Sequence, residues 1–306
     1  MESEYIQVRR SQLNFYEEIP LFSQTNETQF VLYKPPGITL NQMRVKDGRL
    51  PEKLYIKQND KIRGIQEVQK VFNRQLKESI RSNNPGKVKE IIVKLMEETL
   101  SEPRSGSLEG VSETVDILVS DYTQQSDIIK KLLFVSSKDY TTALHSINVM
   151  ALVLGYATFL NYALAEKRVL GLASLLHDVG KTKINSELLK VPRKLTDDEF
   201  HEIQQHTVLG AKILDTCKFS SSQVKLAARQ HHEKLDGSGY PGHLNHISKV
   251  AQIVGLVDCY EALTNDDRPY RRAMEPVKAL ELIKKDVAAN KFDRDIFKTF
   301  VRSLAR

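Results

Sequence analysis

Residues 231–241 read His231-His232-Glu233-Lys234-Leu235-Asp236-Gly237-Ser238-Gly239-Tyr240-Pro241, and this stretch dictates the kind of scaffold that must carry it. Adjacent side chains on a helix diverge by about 100°, so two consecutive histidines reach one ion only if that ion sits off a helix end. The glycines that follow let backbone approach a ligand closely, and Tyr240 brings a ring that stacks on a base or a hydroxyl that reaches a phosphate. Asp236, Gly239, Tyr240 and Pro241 are therefore candidate ligand-contacting residues. The bland alternative is a solvated helix end followed by a turn, but a histidine pair, an acid, glycines and an aromatic then coincide by accident.

Working outward, the other histidines fall in the same half of the chain. All eight lie between His145 and His246, and the first 144 residues contain none. Imidazole is the commonest metal-binding side chain and general acid or base, so the two halves divide the labour. His177-Asp178-Val179-Gly180-Lys181 follows the apolar run Leu170–Leu176, placing an imidazole and a carboxylate at a helix end. The two oxygens of Asp178 suit it to bridge two cations, although a capping role for the next helix is the plain alternative. Asp258 sits in the apolar strip Val250–Val257, where an unpaired carboxylate costs several kcal/mol, on the order of 3–5. His145, in an apolar helix over 142–160, and His206, on an amphipathic helix over 197–214, complete the set.

Five histidines and two aspartates suit divalent first-row metals rather than thiolate-bound structural zinc. Seven ligands are too many for one tetrahedral ion and natural for two ions sharing a carboxylate, the arrangement used to hydrolyse phosphoesters. Lys181, Arg268 and Arg271 are placed in loops where they can hold anionic oxygens.

The rest of the chain sets limits. With 306 residues, 41% hydrophobic and 27% charged, it is long enough for two domains and too apolar to be disordered. The +6 net charge is spread without a like-charge run, so a DNA or RNA polymer is not expected as partner. The start lacks a signal-peptide core, and the most apolar stretch, residues 150–160, is interrupted by Gly155, Tyr156 and Thr158, so no membrane span is expected. Two cysteines, Cys217 and Cys259, suit a reducing, cytoplasmic setting. Strand-like runs at 5–8, 29–33 and 53–56 precede a helical pattern from Ile62 to Ile80, and the breaker Asn83-Asn84-Pro85-Gly86 separates it from the rest. The reading is a mainly α protein: a small α/β regulatory or docking module over 1–82, then an all-helical metallohydrolase domain over 83–306.

Over about residues 139–300 the chain resembles the HD-GYP domain, a subgroup of the HD phosphohydrolase superfamily. HDxGK matches 177–181 and HHExxDGxGYP matches 231–241 at every specified position, and the segments before His206 and after Val257 are also similar. The resemblance implies hydrolysis of cyclic di-GMP to linear pGpG or GMP. It implies that His145, His177, Asp178 and Asp258 hold one metal, and that Asp178 bridges to a second held by His206, His231 and His232. Iron is the metal implied, with manganese as a substitute. Lys181 would contact the scissile phosphate or protonate the leaving group, and Tyr240 with Arg268 and Arg271 would shape the substrate pocket. Thr141 stands where some members carry a glutamate for a third metal, which implies two ions here. Glu261, grouped with Asp178 and Lys181 as catalytic, replaces the family's usual aspartate, and the loop after Pro241 is about two residues shorter than usual. These departures leave two alternatives: a phosphodiesterase for another cyclic dinucleotide, or a weakly active adaptor that meets signalling proteins through the GYP loop and the N-terminal module.

Overall fold

The computed structural model describes residues 4–8, 10–26, 29–40, 51–103, 106–122, 141–191, 193–217, 221–265 and 273–305. The chain divides into two compact units, Met1–Gln75 and Leu76–Arg306.

The first unit is built on a four-stranded antiparallel sheet of order β1-β4-β2-β3, with β1 Tyr5–Gln7, β2 Leu21–Gln24, β3 Phe30–Lys34 and β4 Tyr55–Lys57. Alternation along the strands puts Leu21 and Ile56 on the buried face. Helix α1 (Lys61–Arg81) begins in this unit and there buries Ile65, Val68 and Phe72 at helical spacing, as the periodicity requires. Lys34 is fully buried, yet its ammonium donates to three carbonyls, Glu17 O, Pro35 O and Ile38 O, at 2.9, 3.0 and 2.9 Å. All three of its donors are satisfied, so its role is to pin the turn after β3.

The second unit is helical among the described residues. After α2 (Pro85–Leu100) and α3 (Glu109–Tyr122) comes α4 (Thr142–Phe159), followed by α5 (Leu164–Leu176) and a short 3-10 turn, Val179–Lys183. Then come α6 (Asp197–Gln204), α7 (His206–Asp215), α8 (Ser222–Gln230), α9 (Lys249–Thr264), α10 (Pro276–Ala288) and α11 (Arg294–Leu304). By length and composition α4 is apolar enough to cross a membrane, but 78% of it is buried inside this unit. A helix apolar on all sides belongs at a core centre, and α5, α9, α11 and α2 pack around it. Its N-cap is Thr141, whose hydroxyl accepts from Leu144 N at 3.2 Å. Thr196, Ser221, Ser248 and Asp293 cap α6, α8, α9 and α11 in the same way.

Two expectations are refined. A further strand, Leu21–Gln24, pairs between β4 and β3. The single helix expected over 197–214 is two helices that break at Gln205.

Candidate metal centre

Each site residue is delivered by an element end or a buried helix face. His177 is the C-cap of α5, and Asp178 follows at the start of the 3-10 turn, where its side chain makes no capping bond. The capping role that would explain this aspartate blandly is therefore absent. His206 opens α7, His231 is the C-cap of α8 with His232 just beyond, and His145 and Asp258 lie on buried turns of α4 and α9. The helix-end geometry demanded by two adjacent histidines is the one present.

These elements are held close by backbone contacts. A Cβ on Gly180 would lie 1.9 Å from His206 O, one on Gly255 2.1 Å from His231 O, and one on Gly239 2.4 Å from His232 O. Gly239, expected to face a ligand, is thus used to seat the loop on the end of α8.

The seven expected ligands converge. Asp178 Oδ1 faces His206 Nε2 at 3.3 Å and His231 Nε2 at 3.7 Å, while Oδ2 faces His177 Nε2 at 3.4 Å and His145 Nε2 at 3.7 Å. Asp258 Oδ1 lies 2.9 Å from His145 Nε2 and 4.0 Å from His177 Nε2. Three overlapping groups have ligand atoms within 4.8 Å of one another: Asp178-His206-His231-His232, His145-His177-Asp178 and His177-His231-Asp258.

The outer nitrogens decide what the inner ones are. His177 Nδ1 meets Ser174 O at 2.7 Å, His206 Nδ1 meets Ile203 O at 2.6 Å, and His231 Nδ1 meets Ala227 O at 3.0 Å. A carbonyl only accepts, so each Nδ1 carries a proton and Nε2 is the nitrogen each ring turns inward. Burial pushes His206 below its ordinary value and His231 well below, and takes His232 down to about 3, so these rings are neutral. His206 Nε2 and His231 Nε2 are then two lone pairs 3.4 Å apart, and His177 Nε2 and Asp178 Oδ1 are buried without a hydrogen-bond partner. At this corner of the cluster, where the His206 and His231 lone pairs and Asp178 Oδ1 crowd together, acceptors face acceptors, which is unfavourable unless a cation sits among them. The donor set, imidazole nitrogens and carboxylate oxygens, fits divalent metal ions.

His145 differs from the others. Burial opposes its charge, but the carboxylates of Glu261 and Asp258 outweigh this and lift it to about 9. Asp178 and Asp258 are held well below the usual carboxylate range despite burial, chiefly by Lys181 and His177 for the first and by His145 for the second.

The remaining candidates take several positions. Lys181 Nζ donates to Asp178 Oδ2 at 2.5 Å with its side chain 25% exposed, at the rim of the ring. Glu261 stands behind His145, accepting from its Nδ1 at 2.6 Å and from Asn148 Nδ2 at 2.9 Å. Tyr240 stacks on His232, with ring centroids 4.7 Å apart and planes 29° apart, and precedes Pro241 through a cis peptide. Asp236 is exposed and accepts from the backbone and hydroxyl of Ser238 at 3.0 and 2.7 Å, which shapes the loop. Arg268 and Arg271 lie outside the described residues.

Three contributors were not anticipated. Buried Glu233 accepts from Gly242 N at 2.6 Å and Leu244 N at 3.0 Å, tying down the loop after Pro241. Asn148 shares Glu261 with His145, and Phe200 packs edge-on against Tyr240 at 6.0 Å. Glu233 lay inside the quoted motif; for Asn148 the signal was a polar residue one turn after His145 on an apolar helix.

Residues 123–296, more than half the chain, match the model of a family described as the HD domain. A cyclic di-GMP phosphodiesterase of Pseudomonas aeruginosa is 34% identical over 63% of this chain and 46% of its own length. A 3′3′-cGAMP-specific phosphodiesterase of Vibrio cholerae is 33% identical over 55% of this chain and 39% of its own. A cyclic di-GMP phosphodiesterase response regulator of Xanthomonas campestris is 40% identical over 35% and 29%. The chain thus matches less than half the length of these relatives. A solved HDG"Y"P protein from Bdellovibrio bacteriovorus shares the fold, with a TM-score of 0.64 over 99% of this chain and 100% of that one at 18% identity.

Proposed function

Since the chain belongs to the HD domain family, we propose that its helical unit is a metal-dependent phosphodiesterase that hydrolyses cyclic di-GMP to linear pGpG and, by a second cut, to GMP. The observation that carries this reading is the convergence on Asp178, one oxygen facing the lone pairs of His206 and His231 and the other turned to His145 and His177. In this reading His145, His177, Asp178 and Asp258 hold one divalent ion. Asp178, His206, His231 and His232 hold the other, iron being expected and manganese its substitute. Two such ions supply Lewis-acid charge to a phosphodiester and make water nucleophilic at neutral pH.

The chain's own groups do the rest. Asp178 and Asp258 stay ionised and bring negative charge to the ring. Lys181, beside Asp178 and open to solvent, neutralises a phosphate oxygen. As water oxygen bonds to phosphorus and the bond to the ribose oxygen breaks, Lys181 supplies the proton that the departing alkoxide takes up, and the proton given up by the attacking water passes through solvent to restore the Lys181 ammonium. Glu261 is a positioning residue: it accepts from Nδ1 of His145 and so keeps Nε2 turned toward the ring, where binding of a cation would displace its proton. Arg268 and Arg271 hold the remaining anionic oxygens. Residues 1–82 act as a regulatory or docking module, since the unit Met1–Gln75 carries none of the ligand residues. A cytoplasmic setting is part of this reading, two cysteines, Cys217 and Cys259, being too few for a disulfide framework.

The test is turnover of cyclic di-GMP by the full chain, purified without oxygen and reconstituted with iron or manganese, with metal counted per chain. Linear product and about two metals are expected from the wild type, and neither from Asp178→Ala, which removes the ligand common to both ions. Full metallation without product overturns the activity; two-metal occupancy in Asp178→Ala overturns the bridging role. The Vibrio cholerae relative named for 3′3′-cGAMP favours a second reading in which that dinucleotide is preferred, which a higher kcat/KM would reveal.

A further inference from the structure

We propose that Phe200 is a base-stacking residue that sets the preference of this site for purine dinucleotides, an inference that rests on the phosphodiesterase reading above. Phe200 is 46% exposed, an unusual setting for a phenylalanine so close to a buried ring of ligands. It belongs to α6, an eight-residue helix with no buried residue. Such a short helix gains little from propensity and here nothing from the core. Its stability comes from local bonds instead. Thr196 and Glu199 form a capping box, and Arg193 grips Glu199 through two hydrogen bonds of 2.7 Å each. These local bonds hold the segment as a helix while its large apolar side chain is left half exposed.

The position of that side chain gives it a use. Tyr240 stacks on the ligand His232 at 4.7 Å, and Phe200 meets Tyr240 edge-to-face at 6.0 Å and 81°. The three rings form a ladder from the ligand cluster to the surface, and Tyr240, meeting Phe200 edge-to-face, covers at most one of its faces. The first turn of α6 carries Asp197 and Asp198 beside the Arg193-paired Glu199, and these two carboxylates offset the pull of the helix N-terminus on a phosphate. The neutral, planar part of a nucleotide is what this surface accepts, with its phosphate directed at the ring. Stacking on an aromatic side chain is strongest for the larger purine surface and asks for no hydrogen-bond pattern.

The experiment uses the full metal-loaded chain with cyclic di-GMP as the probe, comparing wild type, Phe200→Ala, Phe200→Leu and Phe200→Tyr. Direct binding is measured alongside steady-state kinetics. Phe200→Ala and Phe200→Leu are expected to raise KM and Kd about tenfold, with kcat changed less than about twofold and metal content unchanged. Phe200→Tyr is expected to restore wild-type values. Three outcomes overturn the proposal: wild-type KM in Phe200→Ala, wild-type KM in Phe200→Leu, or loss of kcat together with metal, which marks Phe200 as packing support for Tyr240. A wild type that neither binds nor cleaves the dinucleotide overturns the phosphodiesterase reading and this inference together. An active wild type with indifferent variants removes the inference alone.

Discussion

Replacing Gly255 by alanine tests whether the ligand ring depends on the contact between α9 and the end of α8. The added Cβ would lie 2.1 Å from His231 O, 3.1 Å from His231 C and 3.4 Å from His231 Cα. The first distance falls short of ordinary contact by about 1.3 Å, and every atom met is backbone, so no rotamer change relieves it. Overpacking of this kind costs about 3 kcal/mol, against about 1 kcal/mol gained from the better helix propensity of alanine. The net loss of about 2 kcal/mol corresponds to a fall in Tm of about 4–8 °C for a unit of this size. The functional loss is larger, because Gly255 lies one turn before Asp258, and His231 and Asp258 share a ligand group. Relief by sliding α9 away separates those two ligands, which costs about 10–100-fold in metal affinity. The assay is thermal unfolding with metal counted per chain, with Gly155→Ala as the internal control. Gly155 is also helical, but a Cβ added there would meet no atom within 4 Å, so that variant should melt at or above the wild type. A Gly255→Ala protein with wild-type Tm and full metal would refute the argument.

Glu261→Gln exchanges the acceptor of the His145 Nδ1 proton for a neutral amide, and metal affinity should fall about 10–100-fold by titration; unchanged affinity would show that His145 needs no partner. Lys181→Ala should keep the metal content and lower kcat about 100-fold, whereas lost metal would make Lys181 structural. Glu233→Ala removes the acceptor of two backbone donors and should cost about 2–3 kcal/mol, with proteolysis opening the chain near Gly242. A variant as resistant as the wild type would mean the loop is held by other contacts.

What the sequence made legible was the chemistry that travels in short motifs. His177 and Asp178, and His231 and His232, stand beside one another in the chain, the apolar strip before Asp258 marked that carboxylate as out of place, and His145 counted as a ligand only in company with these pieces. Strand β2 was missed because four residues, Leu21–Gln24, carry too little alternation to show without the partners that β3 and β4 provide. The break at Gln205 was missed for a different reason. The apolar spacing continues unbroken through Ile203 and His206, but the imidazole of His206 bonds to Ile203 O and competes with the helix for that carbonyl. The same bond fixes the tautomer that makes His206 a ligand, so the local cost to the helix and the aim of the ring are one interaction. His177 and His231 repeat the pattern with Ser174 O and Ala227 O, three and four residues back. A list of residue types cannot show it, because each proton is set by a carbonyl that every residue possesses. The chain encodes which rings are present, while the ends of α5, α6 and α8 determine that their lone pairs point inward.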